Sequence, residues 1–165
     1  MKKKQQTIKK VTSGKLKKKE PVVVMVSGGF DPIHHGHVRY FHEARKLGDR
    51  LVVVINNDHW IQLKKGHGFM KARDRAEIIR AFRDVDQVVI SSHKKNTTDM
   101  SVCKEIIKIK PTIFANGGDR FADNIPEFKL CNNLNIKMIF NLGRGGKVRS
   151  SSQLLSEYSQ HLKES

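Results

Sequence analysis

The chain is poor in several features that would define other classes of protein. It has two cysteines, Cys103 and Cys131, without paired-cysteine or cysteine–histidine spacing, so neither a disulfide framework nor a zinc site of that kind is expected. No run of about 18 apolar residues occurs, so no membrane-spanning helix is expected. The amino terminus is charged but lacks the apolar core of a secretion signal. These absences predict a protein of the reducing cytoplasm.

Acidic residues are also scarce. The chain has 16 of them and 32 lysines and arginines, which gives a net charge of +16. Residues 1–19 hold nine of the lysines and no acid. This segment has too little apolar content to fold alone, so we predict a disordered lysine-rich arm over 1–20 and a folded domain over 21–165. The arm leaves three roles open: a nuclear address, attraction to nucleic acid or anionic surfaces, or a solvated extension.

Short apolar runs alternate with helical patterns along the domain. The predicted strands are 22–26, 51–55, 87–90, 112–115 and 137–140. Two of the predicted helices span 38–47 and 72–82. A third is capped by Thr98 or Asp99 and buries Val102, Ile106 and Ile107. A fourth runs from Pro126 to 134, and the last begins at a capping box of Ser150 and Gln153. This alternation predicts an α/β fold, a single Rossmann-like domain with a five-stranded parallel sheet and helices on both faces.

The most informative segment is the decamer at 28–37, which reads GGFDPIHHGH and joins the first predicted strand to the first helix. Such a strand, glycine turn and helix direct backbone N–H groups and a helix N-terminus at a phosphate. His34 and His37 can donate hydrogen bonds to phosphate oxygens, and in the protonated form they can balance charge that grows in a transition state. Gly36 leaves room for a nucleotide against the backbone. The other predicted nucleotide-binding residues of this segment are Gly28, Gly29, Phe30 and Asp31.

Three further segments follow predicted strands, where parallel sheets bind ligands. The residues of interest are Trp60, Lys64 and Lys65 after the second strand, Gly117, Gly118, Asp119 and Arg120 after the fourth, and Arg149, Ser150, Ser151 and Ser152 after the fifth. The last group combines a basic side chain and three hydroxyls at a helix N-terminus, which predicts an anion site. Ordinary turns, a plain helix cap, solvated lysines and a packed Trp60 remain the alternatives.

The decamer resembles the H-x-G-H signature of the cytidylyltransferase-like nucleotidyltransferases, and the resemblance extends over about residues 22 to 160. It implies transfer of a nucleoside monophosphate from CTP or ATP to a phosphorylated small molecule, with release of pyrophosphate and with Mg²⁺ carried on the NTP. It implies that His34 and His37 act at the α-phosphate, with Lys64 or Lys65 beside them. Arg75 matches an arginine that this family carries on the helix before the third strand.

The resemblance implies roles for the later segments as well. Ser150, Ser151 and Ser152, together with Arg149, would hold the β- and γ-phosphates. Residues 117–120 would line the base and ribose pocket, although Arg120 stands where related enzymes have an aromatic side chain. Asp31 would fix the turn by accepting backbone N–H groups, and no protein metal site is expected.

Several points stay open at the level of the sequence. The donor is CTP or ATP, and the acceptor could be a sugar phosphate, nicotinamide mononucleotide or phosphopantetheine. Whether the chain forms a homodimer is open as well. The alternative of another class is a non-catalytic nucleic-acid-binding protein that uses the basic arm, but the domain lacks a pattern of aromatic and basic residues for stacking bases.

Overall fold

The structure is a computed structural model that describes residues 19–118, 125–143 and 150–164. Most of the predicted lysine-rich arm, residues 1–18, lies outside this part of the chain. Three predicted site residues, Asp119, Arg120 and Arg149, lie outside it as well.

Five strands and six helices make up the described part. In chain order they are β1 (Val23–Gly28), α1 (His35–Arg45), β2 (Arg50–Ile55), α2 (Asp58–Lys65), α3 (Ala72–Arg80), β3 (Gln87–Ile90), α4 (Cys103–Ile109), β4 (Ile113–Gly117), α5 (Glu127–Asn133), β5 (Lys137–Leu142) and α6 (Ser151–Glu164). All five predicted strands are present, with ends that differ from the prediction by at most two residues. No helix in the described ranges is long and apolar enough to cross a membrane.

The strands form one parallel sheet in the order β3-β2-β1-β4-β5. The chain therefore runs outward from β1 through β2 to β3, then returns to the opposite side of β1 with β4 and β5. The strand order reverses between β1 and β4, and ligands of open parallel sheets bind at this switch, beyond the carboxyl ends of the strands. The predicted fold class is confirmed.

Two apolar clusters hold helices against the two faces of the sheet. On one face α1 and α3 contribute Phe41, Ala44, Ala76 and Ile79, which pack on Val24, Val26 and Val53. On the other face α4 and α5 contribute Val102, Ile106 and Cys131, which pack on Met25, Val54 and Phe114. Helices therefore cover both faces, as the alternating pattern predicts.

The helix boundaries contain the main corrections. Helix α1 begins at His35 rather than at residue 38, because His34 is its N-cap. Helix α2 was not predicted, since only Trp60 and Ile61 of its eight residues are buried and the segment reads as a polar loop. Neither Thr98 nor Asp99 caps α4, whose N-cap is Val102; the Asp99 carboxylate instead accepts bonds from Ser101.

Two apolar side chains expected inside the core lie at the surface. Val38 lies at helical spacing with Phe41 and was therefore expected to be buried, but it is 47% exposed, while Tyr40 and Phe41 are buried. Ile107 is 53% exposed, while Ile106 fills the core position of α4.

Candidate active site

A cavity of about 440 Å³ lies at the switch between β1 and β4, beside the N-termini of α1 and α6. It brings together most of the site residues predicted from the sequence. Those that line it are Gly28, Gly29, Phe30, His34, Gly36, His37, Lys64, Lys65, Gly117, Gly118, Ser150, Ser151 and Ser152. Of the predicted site residues that the structure describes, Asp31 and Arg75 do not line this cavity.

The two histidines begin helix α1 and fix each other. The Nδ1 atom of His34 accepts a hydrogen bond from the backbone N–H of Gly36 at 3.1 Å. In return, Nδ1 of His37 accepts the backbone N–H of His34 at 3.2 Å, and the two rings stack with their centroids 3.8 Å apart. Because Nδ1 is an acceptor in both rings, each neutral imidazole carries its proton on Nε2. Both Nε2–H groups are therefore available to donate to a ligand.

Burial keeps both imidazoles neutral. It lowers the pKa of His37 to about 3, and the neighbouring charges of His34 and Lys65 act in the same direction. Burial followed by the charge of His35 lowers the pKa of His34. Of the two expected forms, the structure favours the neutral donor over the protonated ring. Phe30 holds His37 from the side, in an edge-to-face contact with the centroids 5.1 Å apart.

The two lysines lie in the last turn of α2, not in the expected loop. Asn57 caps the start of this helix by accepting the N–H of Trp60, and Gly66 ends it with a left-handed φ of 80°. The Lys65 ammonium donates to the carbonyl of Asp31 at 2.8 Å, and burial lowers its pKa. Lys64 is exposed and borders the cavity.

Asp31 accepts backbone N–H groups as expected, but they belong to a distant loop and not to its own turn. Its two carboxylate oxygens accept the N–H groups of Phe69 and Met70, each at 2.8 Å. The side chain is 1% exposed. Asp31 therefore ties the loop between α2 and α3 to the turn, and it is not in contact with the cavity.

Arg75 is completely buried and lies behind the cavity wall. Its guanidinium donates to the carbonyls of Gly29 at 2.6 Å, Asn56 at 2.8 Å and Met70 at 3.1 Å. It also forms a 3.0 Å ion pair with Asp58. These contacts join the ends of β1 and β2 to the loop before α3, which is the arrangement of a positioning side chain. The catalytic role expected of Arg75 stays a prediction.

The opposite side of the cavity is built around Tyr40, which the sequence analysis missed. Its hydroxyl donates to the carbonyl of Ala115 at 2.7 Å. Its ring lies where a Cβ on Gly117 would approach to 3.0 Å, so any other residue there would require the ring to shift by a few tenths of an ångström. Gly118 has a φ of 69°, and its N–H-bearing backbone lies open to the cavity. The available signal was the helical spacing of Tyr40 to Ala44 within the predicted helix 38–47.

Helix α6 enters the site through its first turn. The predicted capping box is present, since the Ser150 hydroxyl accepts the N–H of Gln153 and the Gln153 side chain accepts the N–H of Ser150. The Ser151 hydroxyl donates to the carbonyl of Pro32 at 2.9 Å. This bond ties α6 to the decamer, so the N-termini of α1 and α6 face the same cavity. Other lining residues that the sequence analysis did not select are Ser27, Arg39 and Leu142.

Residues 25–151 match the family model described as Cytidylyltransferase-like. The chain belongs to the cytidylyltransferase-like family. This membership confirms the predicted enzyme class, a nucleotidyltransferase, over the alternative of a non-catalytic nucleic-acid-binding protein.

Curated relatives in the family carry two kinds of name. A protein named FAD synthase from Thermococcus kodakarensis is 38% identical over 105 residues, which are 63% of this chain and 67% of that protein. A protein named bifunctional protein HldE from Hydrogenovibrio crunogenus is 38% identical over 62% of this chain. The chain thus spans about two thirds of the FAD synthase and 21% of HldE.

A solved structure shares the fold of this family member. It is described as a lipopolysaccharide core biosynthesis protein from Thermoplasma volcanium and superposes with a TM-score of 0.60 at 28% identity. The match covers 74% of this chain and 97% of that chain.

Proposed function

We propose that the chain transfers AMP from ATP to a phosphorylated small molecule and releases pyrophosphate. The observation that carries this proposal is the cavity between two helix N-termini, into which the neutral His34 and His37 rings can donate from Nε2. ATP is preferred to CTP because the relatives are an FAD synthase, whose product joins AMP to flavin mononucleotide, and HldE, a heptose-1-phosphate adenylyltransferase.

The cavity has two halves on either side of β1, and they suit the two substrates. The β4 half contains Gly117, Gly118 and the hydroxyls of residues 150–152. Its open backbone and helix N-terminus suit the nucleoside and the β- and γ-phosphates. The α2 half contains Gly29, Trp60, Lys64 and Lys65, and its ammonium groups suit the acceptor phosphate. Roles for Asp119, Arg120 and Arg149 remain predictions.

The reaction needs no covalent enzyme intermediate. An oxygen of the acceptor phosphate attacks the α-phosphorus of ATP in line, forming a new P–O bond while the bond to the bridging oxygen of the β-phosphate breaks. Pyrophosphate leaves with the electron pair of that bond. The attacking oxygen is already ionised, so no general base is required. The protein contributes position and charge: His34 and His37 donate to α-phosphate oxygens, and Lys64, which lines the same cavity, offsets their growing charge.

Mg²⁺ enters this proposal as part of the MgATP substrate. No carboxylate is found among the described residues that line the cavity. Nor does any group of three or more histidine, cysteine or acidic side chains suited to a metal occur in the described ranges. Triphosphate oxygens and water would therefore supply the ligands, which is usual for Mg²⁺ bound with a nucleotide.

A substrate matrix tests the proposal. Pyrophosphate release is measured with ATP or CTP against flavin mononucleotide, nicotinamide mononucleotide, heptose 1-phosphate and phosphopantetheine. We expect release with ATP and one acceptor together, and a loss of about 10²-fold or more in kcat for His37→Ala. Release with CTP alone would overturn the choice of donor. If no pair of substrates gives a faster release of pyrophosphate than the His37→Ala variant does, the proposed reaction is overturned.

A further inference from the structure

A buried network of side chains joins the loop that follows β3 to the start of helix α2. The imidazole of His93 lies at its centre, and the residue is 9% exposed. Ring Nε2 lies 2.9 Å from the backbone carbonyl of Ser101, which can only accept, so Nε2 carries the proton. Nδ1 of the neutral ring then accepts the hydroxyl of Ser91 at 2.7 Å. Both nitrogens of this ring are therefore used within the protein.

The network reaches helix α2 through Asn57, the N-cap of that helix. The backbone N–H of Asn57 donates to the Ser91 hydroxyl oxygen at 3.0 Å, and its side-chain amide donates to the carbonyl of His93 at 2.7 Å. Oδ1 of the same side chain accepts the N–H of Trp60 and closes the first turn of the helix. The position of this first turn therefore depends on the loop at 91–93.

The loop at 91–93 is itself anchored to the rest of the fold. The N–H and the hydroxyl of Ser92 both donate to Oε1 of Glu105 in α4, each at 2.8 Å, and Glu105 is buried. Helix α4 packs on the sheet through Ile106. Ser91 and His93 thus bond toward α2 while the residue between them bonds toward α4, so the loop connects a packed helix to the start of α2.

Helix α2 is oriented mainly by polar bonds, because only Trp60 and Ile61 of its eight residues are buried. Its first turn is held from two sides. Asn57 bonds to the loop at 91–93, and Asp58 forms a 3.0 Å ion pair with Arg75 on the side of α3. Loss of the bonds on one side leaves the helix free to tilt about the other.

We propose that His93 is a positioning residue for adenylyl transfer, because it holds helix α2, through Ser91, where Lys64 and Lys65 face the reacting phosphates. This proposal rests on the transfer reaction proposed above. Both lysines line the cavity. Lys64 lies seven residues after Asn57, about 10 Å along the helix axis, so a tilt of about 10° at the first turn would move its backbone by roughly 2 Å. A misplacement of about 1 Å can lower a rate about 10²-fold.

Two replacements of His93 separate the two bonds of its ring. Asparagine places an amide oxygen near the position of Nδ1 and keeps an acceptor for Ser91. Glutamine places an amide nitrogen near the position of Nε2 and keeps the donor to Ser101. Both variants lose the ring, so a role in packing alone would affect them alike. A third variant, Ser91→Ala, removes the hydroxyl that accepts the N–H of Asn57.

The full chain and its variants are assayed for pyrophosphate release with MgATP and with flavin mononucleotide, nicotinamide mononucleotide, heptose 1-phosphate or phosphopantetheine, whichever the unmodified chain uses best. We expect kcat/KM for this acceptor to fall about tenfold in Ser91→Ala and about fivefold in His93→Gln, but less than about twofold in His93→Asn. The double variant of Ser91→Ala and His93→Gln should lose no more than Ser91→Ala alone, because His93 acts through Ser91. The Kd of ATP, measured by calorimetry without acceptor, should stay within about twofold throughout, since the β4 half of the cavity is unchanged.

Hydrogen exchange gives a measurement that does not depend on turnover. The backbone amides of residues 57–66 should exchange faster in Ser91→Ala and His93→Gln than in His93→Asn or the unmodified chain, whereas those of β1 and α1 should not change. His59→Gln is the control, because His59 is an exposed histidine of α2 itself. It should leave both the exchange and the kinetics unchanged.

The outcomes separate the two proposals. Equal losses of kcat/KM in His93→Asn and His93→Gln would overturn the positioning role, since they would indicate that the ring serves only to fill space. Unchanged exchange of residues 57–66 in Ser91→Ala would overturn it as well. Absence of pyrophosphate release from every pair of substrates would overturn the transfer reaction, and the exchange measurement would then still decide whether His93 holds helix α2.

Discussion

Arg75 offers the sharpest test of how the site is held together. Its guanidinium is 0% exposed and donates to three backbone carbonyls, in addition to its ion pair with Asp58. Replacement by methionine removes these donors while keeping much of the volume. Each buried carbonyl left without a donor costs about 1–3 kcal/mol, and the half-exposed Asp58 adds less. The three carbonyls together give about 3–9 kcal/mol, a large share of the ~5–15 kcal/mol that stabilises an ordinary domain.

Lysine at this position separates stability from catalysis. Arg75→Lys retains the charge but lacks the planar fork that reaches several carbonyls at once, so we expect a loss of about 2 kcal/mol. The free energy of unfolding is measured by urea titration, and kcat is measured at low temperature where the variant is still folded. Arg75 would act on the reaction only through the positions of Gly29 and Asn56. The loss in kcat, expressed as a free energy, should therefore be much smaller than the loss in the free energy of unfolding.

The neighbouring Arg73 provides a matched control. It lies two residues earlier on the same helix and is exposed, so Arg73→Met should change the free energy of unfolding by less than about 0.5 kcal/mol. The reasoning would be refuted if Arg75→Lys unfolded at the same urea concentration as the unmodified chain while its kcat fell about 100-fold. That result would instead require direct contact between Arg75 and the reacting phosphates.

Four smaller tests address other parts of the site. The pKa of His37 is about 3 in the folded chain, so as the pH falls below 6.5 the unfolded chain binds this proton first. The free energy of unfolding should therefore fall by up to about 1.4 kcal/mol per pH unit. Calorimetry of His37→Asn should reveal a shallower dependence of this free energy on pH. Gly117→Ala places a Cβ 3.0 Å from the ring of Tyr40 and should raise the KM for ATP several-fold, which steady-state kinetics would contradict if it stayed constant. Ser152→Ala should weaken ATP in calorimetry and leave AMP unchanged, whereas an equal loss for both would assign this hydroxyl to the nucleoside or the α-phosphate. The thiol of Cys131 is buried and its pKa is raised to about 11, so iodoacetamide at pH 8 should modify it only after urea is added. Peptide mapping separates it from the partly exposed Cys103, and rapid labelling of Cys131 in the native chain would contradict its burial.

The sequence predicted the sheet well because its three central strands, β1, β2 and β4, are buried on both faces. An unbroken apolar run such as 51–55 has few other interpretations, and the strand ends then locate the ligand site. Helix α2 escaped prediction because its short sequence buries only two side chains and derives its order from a cap at Asn57. Such a helix has no apolar periodicity to detect.

Long-range polar contacts were beyond the reach of sequence patterns for a different reason. Three of the four partners of Arg75 are backbone carbonyl groups, which every residue carries, so no residue type marks Gly29 or Asn56 as its acceptors. The same holds for the bonds from Phe69 and Met70 to Asp31. The family resemblance identified Arg75 and Asp31 as residues of interest, but only the packed chain displays the backbone groups that they contact.

The reciprocal bonds between His34 and His37 have a consequence for how this chain could change over time. The nitrogens that cap helix α1 belong to the rings proposed to act on the phosphate. A substitution of His34 that abolishes the reaction therefore also removes a helix cap, which lowers the free energy of unfolding by about 1 kcal/mol. A descendant released from catalysis would therefore still be constrained at this position. It would be expected to replace His34 with asparagine, aspartate or serine, side chains that cap a helix, before accepting alanine. Relics of the site would then persist for reasons of folding alone.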